Sequence, residues 1–418
     1  MKSVGVSAYD VLVIGAGPAG LMASISCAQA GLRTLVLDGK NTIGAKLLIS
    51  GGGRCNVTNL KVTEKDYQST APRTVRNILR SFSPGNVLDF FKQSGVEMVL
   101  EEGAKYFPKE QSSKVILRAL LDTVHRTGAA IEKGKKVKHV SKTRGVFQIT
   151  GDDFEYFAGT LVIATGGLSY PETGSDGSGY AFARSLGHNL VPTVPALTPL
   201  ITADDDWKNL SGITLPVGLS VMAEGKKVIH SQGALLFTHT GFSGPAVLDV
   251  SGAWRRCEAA SKELRVNFFP DLHVSDFVSE WAGLVGSHAD RSWKRALSQY
   301  LPERLAQVVL NKSGIDPSRR LDQVSKKERE AFLSSLFRFP VPVTGSLGYE
   351  KAEVTSGGVD LREVDPKTLE SHMCARLFFA GEVLDVDGRI GGFNFQWAWS
   401  SGTAVGRAIA RQTSSGQD

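Results

Sequence analysis

The chain has 418 residues, 42% of them hydrophobic and 22% charged, with a formal net charge of +6. That length exceeds a single hydrophobic core and implies two or three domains, and the composition excludes a disordered or fibrous chain. The basic residues are scattered, apart from short clusters such as Lys133-Gly-Lys-Lys-Val-Lys138, and lack interleaved aromatics. They read as solvated surface, and no nucleic-acid partner is expected from them.

The first ten residues are too short for a signal peptide. From Tyr9 to Gly39 the chain reads strand, glycine-rich turn, helix, strand. Val11–Ile14 is a short apolar run suited to a strand buried on both faces. Gly15-x-Gly17-x-x-Gly20 follows: one glycine for the tight turn, one for approach to a pyrophosphate, one for close helix packing, with Ala19 inside the motif. Pro18 suits the first helical turn, where its missing N–H costs nothing. Thr34–Leu37 forms the next strand and delivers Asp38, followed by Gly39, where a carboxylate accepts hydrogen bonds from a ribose. The pattern indicates a dinucleotide and leaves NAD and FAD both open. The uncharged stretch Val11–Leu32 is long enough to raise a membrane span, and the motif within it accounts for it better.

Next comes Lys46-Leu-Leu-Ile-Ser50-Gly-Gly-Gly53-Arg54-Cys55-Asn56, a backbone able to wrap a phosphate or ring edge, with Lys46 and Arg54 as donors. Residues 60–130 read as mainly helical, with apolar stripes at Val75, Ile78, Leu79 and Phe82 and at Val115, Leu117, Leu120, Leu121 and Val124. Lys136–Val140, Phe147–Thr150 and Phe154–Phe157 alternate like a small antiparallel sheet. Leu161–Ile163 is a further buried strand ending in Ala164-Thr165-Gly166-Gly167, small residues past which a cofactor can cross the sheet. Gly174–Gly179 reads as a turn rather than a second phosphate loop, since no strand immediately precedes it.

At Val191 the prolines of VPTVPALTPL mark a domain crossing. Strands are expected at Leu215–Met222, Lys226–His230, Gly233–Thr238 and Leu264–Phe269, then helices from about Leu272, one opened by a capping box at Ser325-Lys-Lys-Glu328. Arg376–Ala380 returns as a buried strand ending in Gly381-Glu382. After Asp387, Gly391-Gly392-Phe-Asn394-Phe-Gln396 opens a helix whose free N–H groups suit the flavin ring region where negative charge accumulates on reduction. These downstream segments make FAD the resident ligand. The expected organisation is α/β: a two-part Rossmann-like FAD domain (1–190 and 345–418), interrupted by a β-rich, barrel-like domain (191–271 and 337–344) that carries a helical insert (272–336).

The cysteines Cys27, Cys55, Cys257 and Cys374 are far apart, with no CxxC. This argues against a disulfide reductase and a cysteine zinc site and fits a reducing cytoplasm. The eight histidines show no HExxH spacing, so no metal is expected. Cys55 reads as a small packing residue.

The motifs KLLISGGGRCNVTN (46–59), ATGGLSYPETGSDGSGY (164–180), LLFTHTGFSGPAVLDVSG (235–252), VTSGGVDL (354–361) and FFAGEVLDVDGRIGGFNFQWAWSSG (378–402) resemble the BaiN/YhiN-type, HI-type family of FAD-binding, aminoacetone-oxidase-like oxidoreductases, from about Asp10 to Gly406. The resemblance implies the interrupted two-part fold. It places Gly15, Gly17, Ala19, Gly20, Asp38 and Gly39 at the ADP half of FAD, with Val137 meeting the adenine through its backbone. Lys46, Gly53, Arg54 and Asn56 are placed at the pyrophosphate or flavin, and Ala164, Thr165 and Gly166 flank the cofactor. Gly381, Glu382, Asp387, Gly392, Asn394 and Gln396 are placed at the ribitol and ring. Asp38 stands where glutamate is common, and Phe242 where a leucine is expected.

His239, in Thr238-His239-Thr240-Gly241, is the side chain best suited to proton transfer, since an imidazole can act as donor or acceptor; it reads equally as an inter-domain fixture. The expected activity is hydride transfer between bound FAD and a small organic substrate, with NAD(P)H as a transient co-substrate. An amine oxidase producing hydrogen peroxide is the alternative, followed by an FAD-dependent RNA-modifying protein and a non-catalytic flavin-binding protein.

Overall fold

A computed structural model describes residues 8–414; the reading of the first ten residues as too short for a leader lies largely outside them. Contacts divide the chain into two compact units, one running to Val194 and resuming at Glu353, the other Pro195–Ala352.

In the first unit, Ala8–Ile14 lies between Thr34–Asp38 and Glu155–Ile163, parallel to both. Ala130–Lys133 extends the sheet beyond Thr34–Asp38, and Leu377–Phe379 runs parallel to the carboxyl half of Glu155–Ile163. The amino half of that long strand pairs with the antiparallel hairpin His139–Thr143 and Val146–Thr150. Val11, Leu12, Val13, Leu35, Val36, Leu161, Val162 and Phe378 are all buried, because helices and loops cover both faces of the parallel strands, which is why these strands read as unbroken apolar runs.

The glycine-loop helix Pro18–Gln29 packs on the last helix, Phe393–Ser414. A Cβ at Gly402 would lie 2.2 Å from the Ala19 carbonyl oxygen, and one at Gly406 would lie 2.4 Å from Ser26 Cβ. These two glycines, one helical turn apart, let the backbones meet at a distance no other residue permits.

Residues 60–130 hold helices at Pro72–Ser81, Pro84–Gln93 and Ser113–Thr127. They also hold a hairpin, Met98–Glu101 with Lys105–Pro108, joined by Thr58–Asn59 into a small sheet that the helical reading passed over. Its turn is made by Gly103 and Ala104, both at positive φ. Elsewhere, strands expected as pairs are continuous: Phe154–Phe157 and Leu161–Ile163 form one strand, as do Lys226–His230 and Gly233–Thr238. A Cβ at Gly233 would sit 3.5 Å from the Ala246 nitrogen, so that glycine marks close approach of a helix and not a break in the strand.

The second unit is built on a seven-stranded antiparallel sheet running in the order Phe339–Val341, Lys262–Asn267, Thr214–Ala223, Lys226–Thr238, Gly241–Ser243, Leu200–Ile201, Gly345–Ser346. Laid flat, its outer strands would lie roughly 29 Å apart at about 4.8 Å per step. Yet only residues 342–344 join those two strands, a link that spans at most about 14 Å. The sheet must therefore curl, which is the barrel-like form. Helices at Pro245–Arg256, Val274–Ser287, Glu303–Lys312 and Lys326–Ser335 share its hydrophobic core, in which Trp207, Trp281 and Trp293 are buried. The Ser325 capping box is formed: Ser325 Oγ accepts from the Glu328 N–H at 3.2 Å, and Glu328 Oε2 accepts from the Ser325 N–H at 3.0 Å.

Among the described residues no helix is long and apolar enough to cross a membrane, and no group of His, Cys, Asp and Glu is disposed to hold a metal ion.

Candidate flavin site

The glycine loop leaves the first strand at Gly15, whose φ of +105° excludes a side chain and whose N–H donates to Leu37 O at 2.8 Å. A Cβ there would fall 2.4 Å from Ala164 O, and one at Gly20 only 2.0 Å from Gly15 O. Gly17 is different. Its φ of −79° and ψ of 179° suit any residue, and nothing lies within 4 Å of the place where a Cβ would stand. The protein's own packing makes no demand for glycine at this position, and the space beyond it is open to a ligand. The helix that starts here has neither a side-chain cap nor an acidic residue in its first turn. Its N–H groups and partial positive charge therefore face that space unneutralised, and the loop fits the pyrophosphate of FAD.

Asp38 anchors the same loop. Its Oδ2 accepts from the Ala16 N–H at 2.9 Å and its Oδ1 from the Lys40 N–H at 2.8 Å, leaving lone pairs on both oxygens for ribose hydroxyls. Beside it runs the segment holding Val137: Lys135 N–H donates to Asp38 O at 2.9 Å, and a Cβ at Gly39 would meet Lys136 Cα at 3.5 Å. The Val137 side chain is buried. Lys136 pairs with Asp176 at 2.9 Å, which ties the Gly174–Gly179 turn to this end. Ala164 continues the pairing with the first strand through its N–H to Ile14 O, 2.9 Å. Gly166 is at φ +73° facing Ser175, and Thr165 packs on Gly179. Gly15, Asp38, Ala164 and Gly166 thus lie together at the carboxyl ends of the parallel strands.

At the other end, Gly381 (φ +78°) faces Ala19: a Cβ on it would lie 2.8 Å from Ala19 Cβ. Its N–H donates to Ser401 Oγ at 2.9 Å and its carbonyl accepts from Trp397 Nε1 at 3.1 Å. Glu382 beside it binds Lys46 Nζ at 2.6 Å and accepts from Ser169 Oγ and the Thr355 N–H.

Gly51, Gly52, Gly53 and Cys55 all adopt positive φ, which explains the glycine triplet. Cys55 is fully buried and burial pushes its thiol up to about 12, so it packs and does not react. Arg54 lies 4.1 Å above the Phe107 ring and pairs with Glu101 at 3.1 Å. With its amide nitrogen donating to Thr58 O (3.0 Å), Asn56 accepts from the Gly392 N–H at 3.1 Å. Gly391 and Gly392, both at positive φ, open the last helix.

Three expected ligand residues have side chains engaged within the protein. Asn394 exchanges two 2.8 Å bonds with the Gly388 backbone, and Asp387 is buried and accepts from Ser356 Oγ at 2.5 Å. Gln396 is wholly buried, accepting from Thr58 Oγ1 at 2.6 Å and donating to Phe82 O and Ser400 Oγ at 2.9 Å. It ties the last helix to the strand Thr58–Asn59 and to Phe82 at the end of the helix Pro72–Ser81. His239 belongs to the second unit, exposed in the turn between Lys226–Thr238 and Gly241–Ser243. Sequence reasoning did not single out Ser169, Thr355 or the Gly402/Gly406 pair. Small residues four apart in the last helix were the available signal for the glycines; Ser169 and Thr355 lie within the motifs at 164–180 and 354–361, which give no sign that their side chains meet.

The family model described as HI0933-like protein Rossmann domain matches residues 9–408. The chain belongs to the HI0933-like family. Members are flavin-binding Rossmann oxidoreductases, and this chain is an FAD-dependent oxidoreductase. It is 35% identical to the ribosomal RNA dihydrouridine synthase of Escherichia coli, over 97% of this chain and 99% of that one. It is 33% identical to the protein of the same name from Haemophilus influenzae, over 96% and 98%. The 3-dehydro-bile acid delta(4,6)-reductase of Clostridium scindens is 30% identical, over 96% and 98%.

Proposed function

We propose that this flavoenzyme is an NAD(P)H-dependent reductase that saturates a carbon–carbon double bond conjugated to a carbonyl, acting on a uracil base of ribosomal RNA. One observation carries this reading: three relatives aligned over nearly the whole chain are named for the same kind of reaction. Dihydrouridine is uridine with two hydrogens added across a bond conjugated to a ring carbonyl. A delta(4,6)-reductase of a 3-oxo compound likewise adds hydrogen to a conjugated bond. The two relatives with the higher identity favour the RNA base over the steroid-like substrate.

Scattered basic residues argued against nucleic acid, but a pI near 9.0 and a net charge of +6 attract a polyanion without a dedicated patch. Bound FAD would supply the hydride chemistry, taking the two electrons from a reduced nicotinamide and delivering them to the carbon β to the carbonyl, with a proton needed at the α carbon. The protein's part is positional. The loop at Gly15–Gly20 and its helix N-terminus would hold the pyrophosphate, and Asp38 the ribose. Lys46 would lie on the pyrophosphate or flavin side, with Glu382 bonded to it. Cys55 is excluded as the proton donor by its burial, and His239 is our candidate for supplying the proton at the α carbon.

The test is to incubate the FAD-loaded protein with NADH or NADPH and ribosomal RNA lacking dihydrouridine, then to analyse the digested nucleosides by mass spectrometry. Dihydrouridine at a discrete position supports the proposal. Unmodified RNA together with reduction of a small conjugated enone would replace it with a small-molecule reductase, and flavin reduction by amines with peroxide release would replace it with an oxidase.

A further inference from the structure

Four segments far apart in sequence meet in one polar cluster of the first unit. Lys46 comes from the short helix after the second strand, and Ser169 from the loop after Glu155–Ile163. Glu382 sits in the turn after Leu377–Phe379, and Thr355 lies on the strand Val354–Val359. Glu382 Oε2 accepts from Lys46 Nζ at 2.6 Å, and Oε1 accepts from Ser169 Oγ at 2.7 Å and the Thr355 N–H at 2.8 Å. Lys46 Nζ also donates to Ser169 Oγ at 2.5 Å. Thr355 Oγ1 in turn accepts from the Leu168 and Ser169 N–H groups at 2.7 and 3.2 Å, fixing the loop that carries Ser169. The cluster leaves no room beside it. A Cβ at Gly167 would lie 2.4 Å from Thr355 Oγ1 and 2.9 Å from Glu382 Oε1.

Stability alone does not account for this arrangement. The Lys46 and Glu382 side chains are 25% and 19% exposed, so water partly screens their attraction, while immobilising a long lysine and a glutamate costs side-chain entropy. Position supplies the missing reason. The loops holding Lys46, Ser169 and Glu382 all follow the carboxyl ends of parallel strands, where doubly wound folds hold their ligands. Glu382 is also the immediate neighbour of Gly381, which packs on Ala19 at the start of the pyrophosphate-facing helix.

We propose that Lys46 and Glu382 form a fixed charge pair that sets the reduction potential of the bound flavin, with Ser169 and Thr355 as the positioning residues that hold it. This rests on FAD occupying the crevice and not on the identity of the substrate. Reduction adds negative charge to the flavin, so a nearby cation favours the reduced form and a nearby carboxylate opposes it. Held together, each charge opposes the other's effect on the flavin, so the balance between them sets the potential; removing one leaves the other unopposed.

The test is a redox titration of the FAD-loaded variants without substrate, alongside flavin content and thermal unfolding of the flavin-free proteins. Lys46→Met is expected to lower the midpoint potential and Glu382→Gln to raise it, each by at least a tenfold change in the two-electron equilibrium, about 30 mV. Lys46→Arg, which keeps the charge, is expected to stay within threefold of wild type. If Lys46→Met does not load, Lys46→Gln is read in its place. Shifts of the same sign, or shifts under threefold at full flavin content, would overturn the proposal. So would loss of FAD from every neutral variant with unchanged flavin-free stability, which would give the pair a binding role only. Because no substrate is present, failure here is distinct from failure of the RNA assay.

Discussion

Replacing Gly17 by valine separates the cofactor's requirements from those of the fold. The backbone at Gly17 is extended and the Cβ direction is empty to 4 Å, so the flavin-free protein should unfold within about 0.5 kcal/mol of wild type, as at an unencumbered surface position. The flavin should respond quite differently. Forcing methyl groups into space needed by the pyrophosphate costs about 1–3 kcal/mol as overpacking, and displacing it from one charge-assisted N–H bond costs about 1.5–3 kcal/mol more. Together these give about 3–6 kcal/mol, or about two to four orders of magnitude in Kd. The assay pairs the absorbance of released flavin and titration of flavin-free protein with FAD against thermal unfolding of the flavin-free form. A Gly17→Val protein that binds FAD as tightly as wild type would refute the placement of the pyrophosphate. One that no longer folds would refute the claim that the space belongs to a ligand.

Gly402→Val makes the opposite case. Its Cβ would collide with Ala19 O at 2.2 Å, so it should lose about 1–3 kcal/mol or more of stability and lose flavin with it, seen as lowered unfolding temperature and flavin content together. His188 predicts a pH dependence. It is buried, with Nδ1 3.1 Å from Glu363 Oε2 and Nε2 2.7 Å from Ser371 Oγ, and burial holds its pKa below the ordinary 6.5 despite the opposing Glu363 carboxylate. Since the unfolded chain binds this proton more readily, the stabilisation is full above pH 6.5 and is lost as pH falls from there toward the lowered folded value. His188→Gln should flatten that segment of the stability-versus-pH curve, measured by denaturant unfolding. His239→Ala should keep its FAD and slow turnover, by about 10²–10⁴-fold if it transfers the proton. Turnover unchanged across pH would remove His239 from the mechanism.

The nucleotide-binding half was legible because its signals are local. Glycine spacing, an apolar strand and a terminal acid lie within Tyr9–Gly39, and each answers to a backbone or burial constraint readable one residue at a time. The strands split at Gly159 and Gly233 were harder, since a glycine that admits a neighbouring backbone looks the same in sequence as one that ends a strand. The hairpin at Met98–Pro108 was obscured by the helices on either side of it. In the site, the side chains of Asn394 and Gln396 secure the segments around the last helix. Local sequence offers no sign of that role, because their partners Thr58, Phe82 and Gly388 are brought to them only by folding.

Sequence alone was enough for a dinucleotide fold and for FAD within it, since an apolar strand, the glycine spacing of the turn and a terminal acid lie within one short stretch and the flavin-side motifs recur in order downstream. Tertiary structure decided which glycines serve packing: Gly15, Gly20, Gly402 and Gly406 are held by neighbouring atoms, whereas Gly17 opens on empty space. It also brought Lys46, Ser169, Thr355 and Glu382 together. Side chains more than three hundred residues apart can share one carboxylate only because the parallel strands that precede three of them all end at the same edge of the sheet.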